Sequence, residues 1–323
     1  MVRNTFRKIF KRSETIAAVL CIALVLVLTF ASDIFWDPRN LHSLQISIVP
    51  TGMIAFGMMF LLICGYFDMS VGSIMLLSAI AAGKFTMMGM PVPVVILLTL
   101  CIGLIMGCIN GYMVSVLGIN ALIATLGMQY IGYGAAMLLW DKVRTLETFD
   151  AGYIILGDGE FGGMYVMTWV LIVMIVIFSF FLKYTSNGKK LYFVGGNKEA
   201  AKLMGFNDKR IIFIAYAMTG VLASLAAIFR SAYVHKPTQY MGEGIHMTCF
   251  IACVIGGGSF AGGKGSIIGA TLGVIFMALL TNMFNLLRMS PELQNIVVGI
   301  SLVAVVTLDG YMNIKKLRLQ GKI

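Results

Sequence analysis

The sequence predicts an all-α integral membrane protein, a polytopic bundle of about ten transmembrane helices forming one domain over residues 1–323. Composition is the first indication, since 59% of the residues are hydrophobic, 12% are charged and the mean hydropathy is +0.92. Soluble domains carry roughly 25% charged residues. The second indication is a series of apolar runs of membrane-spanning length. The third is that basic residues collect between these runs, as they do in cytoplasmic loops.

Ten apolar runs, separated by polar or Gly-rich segments, are predicted to cross the membrane. The runs at 71–88 and 247–258 are short and adjoin such breaks, so either could be a half-helix. The predicted spans are 16–32, 46–64, 71–88, 93–116, 119–140, 165–183, 211–229, 247–258, 266–286 and 293–309.

The net charge of +10 is explained by membrane topology. On an alternating trace that starts inside, 17 of the 24 lysines and arginines lie on the cytoplasmic side. The positive-inside rule then places both termini and the loop 184–210 in the cytoplasm and the loop 141–164 outside. Because the basic residues flank apolar runs and form no continuous patch, the sequence argues against a nucleic-acid partner.

The stretch GYFDMSVGS, residues 65–73, interrupts the apolar pattern with a carboxylate at Asp68. A charged residue within a membrane helix is unfavourable by about 2.5 to 3.5 kcal/mol on insertion scales, so it is usually shielded, paired or functional. If the third span is a half-helix, Ser70 to Ser73 would cap its N-terminus and Asp68 would face the positive end of its dipole. Asp68 is therefore predicted first to organise a broken helix and second to bind a solute.

Polar residues near helix breaks are the candidates for a solute pathway, because a polar solute must exchange water for polar side chains and exposed backbone. Each has a structural alternative, since Ser and Thr often bond their own helix and Asn120 would suit a helix cap. The candidates are Asp68, Ser70, Ser73, Asn110, Asn120 and Thr125.

The loop 185–210 is the most informative polar segment. Gly195 and Gly196 are predicted to break the chain, and Asn197 is predicted to cap a short helix from Lys198 to Met204. Glu199 suits the first turn of that helix, and Gly205 suits its end. From the residues alone, a docking element for another protein and a solvated connector are equally good interpretations.

Candidate motifs for nucleotide binding or catalysis are incomplete or lie in the wrong sequence context. GSFAGGKG, residues 258–265, lacks the Ser or Thr of a P-loop and joins two apolar runs, so it is interpreted as a turn. GDGEFG, residues 157–162, matches a dinucleotide motif only by letter. The cysteines indicate neither a disulfide framework nor a metal site. The chain is predicted to be no enzyme and to hold no cofactor or metal of its own.

Five separated motifs resemble the permease subunits of bacterial ABC importers for ribose-type sugars, a family that includes galactose, xylose and autoinducer-2 permeases. The resemblance extends over essentially the whole chain and keeps the family's spacing. The motifs are FDMSVGS (67–73), LIATLG (122–127), YFVGGNKEAAKLMGFN (192–207), IACVIGGGSFAGGKGSIIG (251–269) and QNIVVGISLVAVVTLD (294–309).

The resemblance implies a single transmembrane permease domain in the bacterial cytoplasmic (inner) membrane that imports a sugar or sugar-like solute. It implies three partners: a cytoplasmic ABC ATPase subunit that binds and hydrolyses the ATP, an extracytoplasmic sugar-binding protein, and a second permease copy or a sister permease. It also favours the docking interpretation of the loop. The residues it assigns to ATPase coupling are Gly195, Gly196, Asn197, Glu199, Ala200, Ala201 and Gly205.

One stretch departs from the family pattern. Where members read YELDAIAA, this chain has IHMTCFIA, residues 245–252, with His246 and Thr248 in place of the two acids and Glu243 nearby. We expect this change to affect the identity of the solute or the contact with the binding protein, and the fold much less.

Two other classes of function compete with this interpretation. A self-sufficient secondary transporter or channel would use Asp68 to couple an ion or a proton, but residues 85–140 contain no further charge. A membrane scaffold without transport would leave the loop without a purpose. Neither class would require an ATPase subunit.

Overall fold

The computed structural model describes residues 13–143, 145–290, 292–294, 296–301, 303, 307 and 310. Within these residues the fold is all-α apart from one two-stranded hairpin, which confirms the predicted class. The elements are α1 (Ser13–Ala31), α2 (Pro38–Ile63), α3 (Val71–Met87), α4 (Val92–Gly111, continued by a π-helical turn Tyr112–Val116), α5 (Ala121–Trp140), α6 (Ala151–Asp158), β1 (Glu160–Phe161), β2 (Met164–Tyr165), α7 (Val166–Tyr184), α8 (Ser186–Gly196), α9 (Lys198–Leu203), α10 (Asp208–Val234), α11 (Ile245–Ile255) and α12 (Ile267–Leu286).

Among the described residues, seven helices are long and apolar enough to cross a membrane: α1, α2, α4, α5, α7, α10 and α12. Helices α3 and α11 are apolar but shorter. These nine match the first nine predicted spans. The tenth, 293–309, is described in part, and its described residues, 293, 294, 296–301, 303 and 307, are helical. The basic clusters at 3–12 and 315–322 lie outside the described residues.

Two local predictions are wrong, the start of the second span and the chain break at Gly195 and Gly196. Helix α2 begins at Pro38, well before residue 46, because Asp37 accepts a hydrogen bond from the Arg39 N–H (2.8 Å) and proline suits the first helical position. The loop 141–164, for which the sequence predicted only a location, contains α6 and the β1–β2 hairpin. Gly195 and Gly196 do not break the chain, because both belong to the last turn of α8.

Helices α2 and α10 form the centre of the bundle. In the most apolar stretch of each helix, 78% of the residues of α2 and 61% of those of α10 are buried, compared with 17% of those of α1. Helix α4 approaches α10 very closely, because Gly103 and Gly107 face the α10 backbone at Gly220 and Tyr216, where a side chain would clash. Small residues on a ridge permit such close helix packing in lipid.

Helix α11 is a half-helix that starts inside the bundle. After α10 ends at His235, in a left-handed conformation, the chain returns along α3, with Pro237 against Gly83 and Gly242 against Gly72. Helix α11 has 11 residues. At 1.5 Å per residue it spans about 16 Å, roughly half of a hydrocarbon core of about 30 Å. This length is that of a half-helix, which is the possibility that the sequence left open for this span.

Candidate functional site

The segment between α2 and α3, residues 64–70, is a break between two buried helices, and we call it the break. Gly65 turns the chain out of α2 with a φ of 82°, a conformation that glycine adopts without strain. The Tyr66 N–H donates back to the Leu61 carbonyl (2.9 Å), so the end of α2 is closed by a glycine turn. This turn directs the following residues, Phe67 to Ser70, into the bundle.

Asp68 lies within this break and is completely buried. Its Oδ1 accepts hydrogen bonds from the Ser70 N–H (2.7 Å) and the Ser70 hydroxyl (2.6 Å). Its Oδ2 accepts a hydrogen bond from the Asn110 amide (3.1 Å), which also donates to the Ser70 hydroxyl (2.7 Å). The carboxylate therefore joins the start of α3 to α4 through neutral donors.

Helix α5 completes this arrangement from the other side of α3. The Thr125 hydroxyl accepts a hydrogen bond from the Met69 N–H (3.1 Å), and the Gln129 side chain accepts one from the Ser73 N–H (3.1 Å). The Ser73 hydroxyl donates to the Ser70 carbonyl (2.9 Å). We call Asp68, Ser70, Ser73, Asn110, Thr125 and Gln129 the Asp68 cluster.

The structure thus brings together five of the six residues predicted for a solute pathway. Asn120 is the exception, because it is exposed and caps α5 by accepting a hydrogen bond from the Leu122 N–H (2.9 Å). The predicted cap of α3 also differs in detail. Ser70 is the N-cap residue, but its side chain makes no cap bond, and Gln129 supplies one instead.

Sequence reasoning missed two contributors. Gln129 lies one helical turn after Thr125 on the same predicted span, and that spacing was a usable signal. Tyr216 of α10 is buried and donates its hydroxyl to the Phe67 carbonyl (2.8 Å), so it fixes the break from a third side. A single tyrosine within an apolar span carried no such signal.

Two buried polar atoms next to the start of α3 lack a hydrogen-bond partner among the described residues, Asn110 Oδ1 and His246 Nδ1. His246 lies in the first turn of α11, next to Gly72. In the stretch 245–252, which differs from the family pattern, the Thr248 hydroxyl donates to the Gly244 carbonyl (3.3 Å). The nearby Glu243 is exposed. His246 is therefore the one that faces the start of α3.

Helix α9 forms the short helix that the sequence predicts in the loop 185–210. The Asn197 side chain accepts a hydrogen bond from the Ala200 N–H (3.0 Å), and Gly205 turns the chain with a φ of 79°. Glu199 is in the first turn, as expected for an acidic side chain at a helix N-terminus. The cap signals in the sequence were sufficient here.

The seven residues predicted for ATPase coupling occupy different environments. Gly196, Asn197, Glu199 and Gly205 are exposed, and Ala200 is partly buried. Ala201 is completely buried within this chain, and Gly195 packs against the backbone at Ile63 and Gly263. The outer surface of α9 also includes Leu203, which is 90% exposed. The sequence did not single out Leu203.

Lys198 at the start of α9 connects this helix to the break. Its Nζ donates to the Tyr66 hydroxyl (3.1 Å) and lies 3.4 Å from a carboxylate oxygen of Asp208. Burial lowers the pKa of Lys198, but the contacts with Tyr66 and Asp208 outweigh this effect, so its pKa is raised. Because Tyr66 precedes Asp68 by two residues, α9 and the Asp68 cluster are joined through one short segment.

No group of three or more His, Cys, Asp or Glu side chains among the described residues could hold a metal ion. The pair Cys249 and Cys253 donates instead to the Thr51 and Ala55 carbonyls of α2 (3.4 and 3.2 Å). These thiols therefore help to attach α11 to α2.

A multi-span helical bundle with a buried polar cluster at a helix break and a short helix displayed at one end defines a membrane transport permease. Residues 40–306 match the family described as branched-chain amino acid transport system / permease component, and the chain belongs to this family. This membership does not favour the alternative of a self-sufficient secondary transporter.

Similar proteins include the autoinducer 2 import system permease protein LsrC of Escherichia coli O9:H4 (strain HS), which is 30% identical over 94% of this chain and 89% of its own. The LsrC protein of Shigella flexneri is similar to the same extent. That of Salmonella paratyphi B is 31% identical over 80% of this chain and 74% of its own. No solved structure matches the chain significantly.

Proposed function

We propose that the chain is the membrane subunit of an ABC importer that carries a small, neutral, sugar-like solute into the bacterial cell. In this proposal a separate ATPase subunit binds and hydrolyses ATP, a soluble binding protein delivers the solute, and a second permease chain completes the pathway. The chain lies in the cytoplasmic membrane with both termini and the loop 185–210 inside. The 17 of 24 basic residues on that side support this orientation.

The contact between Lys198 and Tyr66 is the observation that carries the proposal. An ATPase that moves α9 would pull on Tyr66 and, two residues later, on Asp68. The hydrogen bonds of Asp68 reach α4 through Asn110, and the neighbouring Met69 contacts α5. A rigid-body displacement of α9 would thereby reach α4 and α5, the two helices that bond to the start of α3.

The chemistry of the cluster supports a neutral solute. Apart from Asp68, the side chains of the cluster carry hydroxyl or amide groups. The Asp68 oxygens already accept hydrogen bonds from Ser70 and Asn110. Asn110 Oδ1 is an unpartnered acceptor, and the unpartnered His246 Nδ1 donates or accepts according to its tautomer. A hydroxyl group of a sugar-like molecule can bond to either, because it both donates and accepts. The relatives named above are autoinducer 2 permeases, so autoinducer 2 is one candidate solute and ribose-type sugars are others.

Reconstitution in proteoliposomes tests this proposal. The full chain would be combined with the ATPase and binding protein of one import system, and uptake of each candidate solute would be measured with and without ATP. We expect uptake that requires ATP and both partners. Uptake driven by an ion gradient in the absence of an ATPase would refute the proposal.

A second measurement concerns the solute contacts. Asn110→Ala and His246→Ala should raise the KM for the transported solute more than they lower the maximal rate of ATP hydrolysis. Equal KM values in wild type and both variants would place the solute elsewhere.

A further inference from the structure

A groove of about 530 Å³ opens between α7 and α10, at the end of the bundle that carries α8 and α9. Phe60 of α2 forms its floor, Phe178 and Phe181 of α7 form one wall, and Ile211 and Ala215 of α10 form the other. This volume lies within the roughly 300 to 1,000 Å³ that is typical of small-molecule sites. The groove shares none of its lining residues with the Asp68 cluster.

Two of the residues that line the groove are exposed apolar side chains on helices of membrane-spanning length. Ile177 and Ile214 lie at its mouth and are 54% and 48% exposed. Both belong to helices long and apolar enough to cross a membrane. A ligand that enters here comes from the lipid phase, so its main body must be apolar.

The rim of the groove is basic. Lys190 donates to the Asn187 side chain (3.0 Å) and lies 5.9 Å above the Phe206 ring. The backbone N–H of Arg210 donates to Asn207 Oδ1 (3.0 Å), while its guanidinium forms no hydrogen bond or ion pair with any described residue. No carboxylate is among the residues that line the groove. Two cationic side chains above an apolar slot are suited to an anion attached to a hydrophobic tail.

We propose that this groove binds one anionic glycerophospholipid. Its acyl chains would lie between α7 and α10, and its phosphate would be bound by Lys190 and Arg210, with the amides of Asn187 and Asn207 as further donors. A neutral lipid would fill the slot but leave the excess positive charge of the rim without a partner. A water-soluble anion would leave the apolar walls empty.

The same groove reaches the connection between α9 and α10. Gly205, Phe206 and Asn207 form that connection and also line the groove. A bound lipid would therefore contact the base of α9 and restrict its movement. The proposal makes the loop 185–210 sensitive to the composition of the membrane.

Native mass spectrometry of the full chain tests the proposal directly. The purified protein would be incubated with equal amounts of phosphatidylglycerol and phosphatidylcholine, and the lipid retained per chain would be counted. Each wild-type chain should retain one phosphatidylglycerol in preference to phosphatidylcholine. The double variant Lys190→Gln, Arg210→Gln should bind it roughly thirtyfold more weakly, since each basic residue near a membrane surface contributes about 1 kcal/mol, or roughly fivefold in affinity.

Lys209→Gln is the matched control, because Lys209 is the exposed neighbour of Arg210 and does not line the groove. This variant should behave as wild type. Ile214→Trp, at the exposed mouth, should reduce retention of either lipid while circular dichroism shows an intact fold. Equal retention of both lipids by wild type would overturn the proposal. An equal loss of phosphatidylglycerol retention in the double variant and in Lys209→Gln would also overturn it. A photo-crosslinker at position 214 that captures a second copy of the chain would do the same.

Discussion

The break and the loop 185–210 both interrupt the bundle, and they are stabilised in opposite ways. Asp68 in the break is completely buried and accepts hydrogen bonds from three neutral donors, the Ser70 N–H, the Ser70 hydroxyl and the Asn110 amide. Glu199 in the loop is exposed, and α9 is positioned by backbone packing at Gly195 and by Lys198. Substitutions in the break should therefore act on the fold, and substitutions in the loop should act on assembly and coupling.

Asp68→Ala should have the largest effect. It removes the acceptor of the Ser70 N–H and hydroxyl and one of the two acceptors of the Asn110 amide. Each buried donor left without a partner costs about 1 to 3 kcal/mol. We expect a loss of about 3 kcal/mol in the free energy of unfolding, measured by chemical denaturation in detergent, and poor assembly with the partner subunits.

Asp68→Asn sharpens this test, because it keeps the shape but offers one acceptor oxygen where the carboxylate offers two. We expect an intermediate loss of about 1 to 2 kcal/mol. If the Asn variant unfolds as wild type does and has lost only uptake, Asp68 binds the solute and does not organise the break.

Gly195→Ala should have the next largest effect, and it concerns the other region. A Cβ at Gly195 would meet the Ile63 carbonyl and the Gly263 backbone, neither of which can move like a side chain. We expect a cost of about 1 to 3 kcal/mol from overpacking and a displaced α9. The measurement is uptake per ATP hydrolysed in the reconstituted complex, which should fall severalfold.

Gly196→Ala is the matched control, since a Cβ at Gly196 meets no atom within 4 Å. Alanine is also preferred to glycine within a helix by about 1 kcal/mol. Transport in this variant should equal that of wild type. Equal impairment of both variants would contradict the packing explanation.

Sequence reasoning found most of the break because polar residues are rare in apolar spans. Asp68, Ser70, Ser73, Asn110 and Thr125 were each conspicuous for that reason, and the structure joins them. Proximity itself could not be predicted, because it depends on the packing of α3 against α4 and α5. Asn120 was included since a polar residue at a helix start has the same local signature whether it caps a helix or faces a pathway.

In the loop, sequence reasoning was good for local geometry and poor for orientation. The cap at Asn197 and the turn at Gly205 follow from residue type, and both are present. Which side of α9 faces outward depends on how α8 packs against the bundle. Burial of Ala201 and exposure of Leu203 are consequences of that packing, and no short-range pattern encodes them.

Leu203→Ser should weaken ATPase binding without a change in the fold. Leu203 is 90% exposed on α9, so its replacement should alter the free energy of unfolding by less than about 0.5 kcal/mol. A buried apolar anchor at an interface contributes about 1 to 2 kcal/mol, which corresponds to roughly tenfold in affinity. Pull-down titration of the ATPase subunit measures this.

Ile155→Ser provides the control for Leu203. Ile155 is 60% exposed on α6, in the loop predicted to lie on the other side of the membrane. ATPase affinity in this variant should equal that of wild type. Unchanged affinity for Leu203→Ser would place the docking surface elsewhere on the loop.

Tyr66→Phe should have the smallest effect on function and tests whether the two regions communicate. It removes the hydroxyl that accepts a hydrogen bond from Lys198 and keeps the ring, so the free energy of unfolding should fall by only about 0.5 to 1 kcal/mol. If α9 acts on the break through this contact, uptake per ATP should nevertheless fall about two- to threefold. ATPase affinity should not change, because Tyr66 lies behind α9.

Tyr184→Phe is the control for that variant, because Tyr184 also lies beneath a lysine, Lys183, and its hydroxyl forms no hydrogen bond with a described residue. Tyr184→Phe should leave the coupling ratio, the uptake per ATP hydrolysed, unchanged. A normal ratio in Tyr66→Phe would mean that α9 and the break are neighbours that move independently. The coupling would then have to pass through Gly195, whose backbone contact with Ile63 is the other direct link between the loop and the end of α2.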